Sequence, residues 1–208
     1  MATLYRKALL QILNKEVDLN SDTLKATLHT ATYTPNLDTH DYVDDLTNEL
    51  TTASGYTAGG VTVANVSMVY TAANSWGTAA AVSTAYALGT LVRPSTGNGF
   101  LYRAAVAGTS SGTAPTWPTV VGQTVTDGGV TWECVGSGVI VVDCDDPTWS
   151  GAFAAGPFRY MVISDRTPGT AATQPLICLT DFGSNQTGGG APFSAAINSQ
   201  GLFHIYLP

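Results

Sequence analysis

The sequence predicts a mainly β protein: a β-sandwich or jelly-roll-like host domain with one N-terminal helix, carrying an inserted small β-module. Three observations lead there. Charged residues make up only 11% of the 208 positions, while Gly, Thr, Ala, Ser and Val are abundant, a composition suited to short strands joined by tight turns. Short apolar or alternating runs recur between the turn-prone clusters DDPTW, DRTPGTAAT and GSNQTGGGAP, the spacing expected of sandwiches and jelly rolls. Residues 75–137 lose most acidic side chains and gain three of the four tryptophans. Such a shift marks a module set into a surface loop, leaving a discontinuous host of residues 1–74 and 138–208.

Taken in chain order, Tyr5, Ala8, Leu9, Ile12 and Leu13 recur at helical spacing and predict an amphipathic helix over residues 3–16. After the turn-prone Asn20, Ser21 and Asp22, LKATLHT alternates. It places Leu24, Ala26 and Leu28 on an inner face and Lys25, Thr27 and His29 on an outer one, a half-buried strand. Residues 35–48 are polar and acidic with apolar anchors at Leu37, Tyr42, Val43 and Leu46, which predicts an ordered loop or short helix. In GYTAGGVTVANVSMVY a Gly-rich turn leads into a strand whose alternation slips near Asn65, as at a β-bulge. Further strands are expected at 139–142, 158–164, 176–180 and in the terminal LFHIYL. The last residues, FHIYLP, offer an apolar anchor for an interface.

Eight basic residues against fifteen acidic ones give a formal charge of −7, so the surface should repel phosphates and no nucleic-acid partner is expected. The opening MATLYRKALLQILNKEVDL is interrupted by Arg6, Lys7, Lys15 and Glu16 and has neither the apolar stretch nor the cleavage site of a signal peptide. No apolar run approaches membrane-spanning length, so no membrane insertion is expected. Cys134, Cys144 and Cys178 are odd in number and lack metal-type spacing, which predicts free thiols rather than a disulfide framework or a zinc site.

Chemistry finds little foothold. Asp38, His40, Asp41, Asp44 and Asp45 offer ligands within eight residues. They lack the Asp-x-Asp-x-Asp-Gly plan of a calcium loop, and read as a solvated acidic loop or one presenting charge to a neighbouring subunit. Asp143, Asp145 and Asp146 precede Pro147, where Asp side chains commonly satisfy turn amides. His29, His40 and His204 are scattered through the sequence, and no Ser or Cys is read as an activated nucleophile. The glycines at 188–190 lack the Lys-Ser/Thr ending of a phosphate loop. Paired carboxylates for glycoside hydrolysis are a matter of distance in the fold, which sequence leaves open. The expectation is no enzyme, no metal and no cofactor.

The phrases DTLKATLHTATYTPNLDTHDYVDDLTNEL, GYTAGGVTV, DCDDPTW and GTAATQPLICLTDFG, in that order, resemble a family of small virion structural proteins of tailed bacteriophages. Members of that family pass from the GGVTV strand to the DDPTW turn through a short connection, whereas this chain has about sixty extra residues there. The resemblance covers roughly two thirds of the chain. It implies a capsid decoration or cement protein, a head fibre or a tail-associated protein, made in the bacterial cytoplasm and placed on the outside of the virion. Its partners would be the major capsid protein or other virion proteins, and a closed homo-oligomer, a trimer, is expected of a protein used in many copies. The resemblance carries over no catalytic residues.

In the middle, the order Trp76, Tyr86, Gly89, Val92, Tyr102, Ala104, Gly112, Pro115, Trp117 and Trp132 is similar to small chitin-binding-type carbohydrate modules. SGTAPTWPTVVGQTV and TDGGVTWECVG match the version carried by phage structural proteins. This implies a glycan surface made by Tyr86, Tyr102, Trp117 and Trp132, with a host-surface glycan as a further partner and a glycan-binding adhesin as the alternative function. Sugar stacking needs flat rings exposed in a row. A module of this size has little else to fill its core, so the same rings are equally candidates for burial. Trp132, inside the alternating GVTWECV, favours the core. Trp117, between Thr116 and Pro118, stands open between the two, and Trp76, beside the junction, is expected to pack the linker.

Overall fold

The computed structural model describes residues 2–208. The chain is mainly β, a sandwich-like class built from antiparallel sheets, with one α-helix among the described residues. It divides into two compact units: residues 1–67 with 143–198, and residues 68–142 with 199–208.

The first unit is organised by a five-stranded sheet in the order Thr3–Leu4, Leu176–Gln186, Phe158–Asp165, Leu24–His29, Val61–Thr62. Val162 lies at its centre, opposite Leu179 on one side and Thr27 on the other. The Leu24–His29 strand differs from its expected half-exposed state, since Thr27 and His29 on the polar face are fully buried. Burial there is tolerable because both side chains are satisfied. Thr27 Oγ1 and His29 Nε2 are 2.9 Å apart, and His29 Nδ1 lies 2.9 Å from the carbonyl oxygen of Thr47. A carbonyl only accepts, so Nδ1 carries the proton and Nε2 accepts from Thr27. Tyr33 covers the imidazole with ring centres 5.2 Å apart. On another part of the unit Trp149, Phe153, Phe158 and Phe193 gather, Phe193 lying 5.1 to 5.6 Å from each of the other three.

The helix covers only Ala8–Leu13, not 3–16. Its expected first turn is drawn into the sheet edge, where Thr3 and Leu4 pair with Leu179 and Cys178. Its end is set by Lys15, which adopts a left-handed φ of 62°. The buried stripe also shifts: Gln11 is inside while Leu13 is 72% exposed. The acidic segment forms the short 3-10 helix Val43–Asp45 within an ordered loop. No bulge forms at Asn65. The chain instead breaks into two strands, with Asn65 at φ 51° and its side-chain amide donating to Asp145 at 2.7 Å. Asn is one of the few residues that accept this conformation readily.

The second unit contains a four-stranded sheet, ordered Leu91–Val92, Leu101–Val106, Val130–Gly136, Thr124–Asp127. A two-residue turn at Gly128 and Gly129 closes its Thr124–Asp127 hairpin, with Asp127 opposite Val130. Gly128 has a φ of +62°, and a Cβ there would sit 2.6 Å from the carbonyl oxygen of Thr109, so glycine is required. A three-stranded sheet runs Phe203–Leu207, Gly138–Asp143, Ser67–Ala72.

The unit boundaries fall at 67/68, 142/143 and 198/199, rather than at 74/75 and 137/138. The largest departure is at the C-terminus, assigned from sequence to the host. Phe203–Leu207 pairs along its length with 138–142, so the terminal strand completes the smaller unit. The expected terminal strand forms over Phe203–Leu207 with Phe203 buried, and its backbone pairs within the chain rather than projecting as an interface anchor. No described helix is long and apolar enough to cross a membrane.

Candidate functional site

The four rings expected to read a sugar converge, but inward. Tyr102 and Trp132 have no exposed surface and Tyr86 keeps 8%. With Val92, Ala104, Val130 and Cys134 they form the core of the four-stranded sheet. The strand alternation explains why: along Val130–Gly136, positions 130, 132 and 134 point into this core. Tyr86 meets Trp132 edge-on at 4.8 Å, and Trp117 lies 4.4 Å from Tyr102 and 5.7 Å from Trp132. Trp117 is half-buried, packed against the cluster from its rim.

The polar atoms of these rings are also engaged internally. Trp132 Nε1 donates to Asp127 Oδ2 at 3.1 Å. Tyr102 donates its hydroxyl to the Pro118 carbonyl at 2.7 Å and accepts from Asn98 at the same distance. Tyr86 accepts from the Ala81 amide at 2.7 Å. Asp127 additionally accepts from the Ser111 amide at 2.9 Å and the Ser111 hydroxyl at 2.6 Å. Burial pushes its carboxyl up, but the bonds from Ser111 and Trp132 outweigh burial and leave it below the ordinary carboxylate range. Trp76, expected to pack a linker, lies instead within the second unit, against Leu91, Leu101 and Val139, donating Nε1 to the Leu91 carbonyl at 2.9 Å. A sugar face cannot stack on rings already covered on both sides, so Tyr86, Tyr102 and Trp132 are corrected from ligand to core.

The second unit also exposes apolar side chains outside this cluster. Leu88 is 71% exposed beside a shallow depression of about 290 Å³, lined with Gly89, Arg103, Ala104 and Ala105. Arg103 is already paired, 2.6 Å from Glu133 on the neighbouring strand, and its guanidinium lies 5.9 Å from the Tyr206 ring centre. The depression therefore offers a satisfied cation and a few methyl groups, and no nucleophile.

The acidic loop is held together by the N-terminal segment. Asp38 pairs with Arg6 at 3.1 Å and Asp41 with Lys7. Asp45 accepts from the amides of Asp41 and Tyr42 at 2.8 and 3.3 Å. His40 Nδ1 meets the Tyr33 hydroxyl at 3.0 Å. Near Pro147, Asp143 takes the Cys144 amide, Asp145 the Asn65 side chain and Asp146 the Ile197 amide, at 2.9, 2.7 and 2.8 Å. Among the described residues, no three His, Cys, Asp or Glu side chains come together as a metal site. Cys134 and Cys178 are buried, Cys144 is half-buried, and all three are free thiols.

Sequence reasoning passed over Asp127 as a structural acceptor, the Arg103–Glu133 pair and the buried Asp165. The first had a readable signal, an Asp before Gly-Gly with Trp five positions on, closing a hairpin. The other two depend on strand register, which sequence does not print. No family model matches the chain, and no curated protein or solved structure matches it significantly.

Proposed function

We propose that this chain is a structural protein of a tailed-bacteriophage virion, a capsid decoration or cement protein that works through subunit contacts and displays its second β unit outward. One observation carries the reading. The four phrases that resemble the virion family occupy 22–50, 55–63, 143–149 and 169–183, and all lie inside the first compact unit. A resemblance interrupted in sequence is thus gathered in one unit, with the extra residues folding together with 199–208 as a second body. The carboxylates near Pro147 and in the acidic loop are spent on turn amides and ion pairs, as suits a protein whose product is shape.

The surface for such contacts is the Ser67–Ala72 strand at the edge of its three-stranded sheet. Met68, Val69 and Tyr70 are 49, 55 and 60% exposed in succession, and no charged residue stands anywhere from 50 to 92. Natural sheet edges are commonly guarded by lysine, proline or a bulge. An unguarded apolar edge suits docking against a neighbouring copy within a closed oligomer, for which a trimer is the working number. The adhesin alternative loses Tyr86, Tyr102 and Trp132 to the core and keeps the half-buried Trp117 of its four rings.

Virions purified from the phage encoding the chain test the proposal. The chain should be present in many copies per particle, visible as density outside the capsid, and particles lacking it should release their genome at a lower temperature. Its absence from purified virions would overturn the assignment.

A further inference from the structure

The turn entering the Leu24–His29 strand and the end of the Phe158–Asp165 strand are tied through the backbone. Leu24 stands opposite Asp165, the Arg166 amide donates to the Thr23 carbonyl at 2.9 Å, and the Thr23 amide donates to Thr167 Oγ1 at 2.8 Å. This register brings Asp22 beside the end of the strand, within hydrogen-bonding reach of the Asp165 carboxyl. Asp165 is completely buried. Its Oδ1 accepts from the Thr167 amide at 2.8 Å, while Oδ2 is buried with no hydrogen-bond donor. Asp22 is half-buried, and its Oδ2 accepts from the Asp18 amide at 2.6 Å.

The surrounding charges do not neutralise the pair. Asp18, in the same turn, adds a carboxylate that accepts from Asn20. Lys25 stands opposite Ser164 rather than Asp165. Arg166 turns its Nε to Ser164 and its Nη1 to Gln174, at 2.9 and 3.3 Å. Pro175, whose carbonyl takes the Asp165 amide, brings no charge, and Asp41, whose carbonyl takes the Leu176 amide, is paired with Lys7. Two neighbouring carboxylates in one site disfavour each other's ionisation, so one proton is held more tightly than on an isolated aspartate. An oxygen without accessible surface admits a proton but not an ion that keeps part of its water shell.

We propose that Asp22 and Asp165 share one proton in the folded protein, a hydrogen bond latching the 18–23 turn to the end of the Phe158–Asp165 strand, and that loss of this proton loosens the latch. Burial, reinforced by the Asp22 charge, raises the Asp165 carboxyl above its ordinary 3.8 despite the bonds from Thr167. The native state therefore binds more protons than the unfolded chain. The latch contributes fully below about pH 3.8 and is lost as pH rises through the folded value.

The pair can be read directly in the full wild-type chain by NMR titration of its carboxyl carbons. One aspartate of the pair should titrate clearly above the others; ordinary titration of both would overturn the proposal. The Asp165→Asn variant gives the second reading, because its amide oxygen keeps the Thr167 bond while its Nδ2 donates to Asp22. Its thermal midpoint should exceed wild type at pH 8, with the gap closing towards pH 4, and Asp22→Asn should show the same trend. A gap that is independent of pH, or reversed at pH 8, would refute the shared proton. If neither variant folds, the wild-type titration decides.

Discussion

Replacing Trp132 with Phe tests whether the aromatic cluster is core or binding surface. The substitution keeps an aromatic ring at a fully buried position but removes the indole N–H that Asp127 accepts at 3.1 Å. Leaving a buried acceptor short of one donor costs about 1–3 kcal/mol. The lost ring atoms add about 1–2 kcal/mol in transfer and cavity energy, since Tyr86 and Trp117 are held by other contacts and cannot fully collapse. The sum, about 2–5 kcal/mol, is a large share of what a small β unit has to lose. With a urea slope of about 2 kcal/mol per molar, the unfolding midpoint of the second unit should fall by about 1–2.5 M. Hydrogen exchange locates the effect: amides in Leu101–Val106 and Val130–Gly136 should exchange faster, while those in Phe158–Asp165 and Leu176–Gln186 should not. An unchanged midpoint with unchanged exchange would refute the core assignment and reopen the rings to ligand.

Three further outcomes follow from the same packing. Gly60→Ala should destabilise the first unit by about 2 kcal/mol or more in urea unfolding, because Gly60 has a φ of +70° and a Cβ would fall 1.9 Å from the Ala26 carbonyl oxygen. Burial lowers the His29 imidazole below its ordinary 6.5, so the unfolded chain binds more protons there. Stability should fall as pH drops below about 6.5, and His29→Gln should flatten that limb of a thermal-midpoint profile. Burial, aided by the charges of Asp143, Asp145 and Asp146, pushes the Cys144 thiol up to about 12, and Cys134 and Cys178 are enclosed. A thiol reagent at pH 8 should therefore label the native protein slowly and all three cysteines rapidly in urea.

The β class, the turn clusters and the presence of a compositionally distinct middle were legible because they are local properties. Glycine and proline restrict or free their own backbone, and the Asp-Gly-Gly turn fixes its own hairpin. The elements read least well were those in which a distant partner overrode the local pattern. Thr3 and Leu4 have helical neighbours but hydrogen-bond into a sheet edge, and the terminal FHIYL reads as a strand of the host until Gly138–Asp143 is seen beside it in the second unit. Thr27 and His29 alternate as an outer face should, yet the Thr47 carbonyl and the Tyr33 ring enclose them.

The aromatic residues divide along the same line. Sequence by itself determined that Tyr86, Tyr102, Trp117 and Trp132 belong together, and that the chain is a scaffold of short strands poor in charge. Only tertiary structure decided that three of these rings face inward and that Asp22 meets Asp165. The reason is that an amino acid's chemistry travels with its sequence, whereas exposure and the pairing of charges are set by whatever strand arrives on its other side.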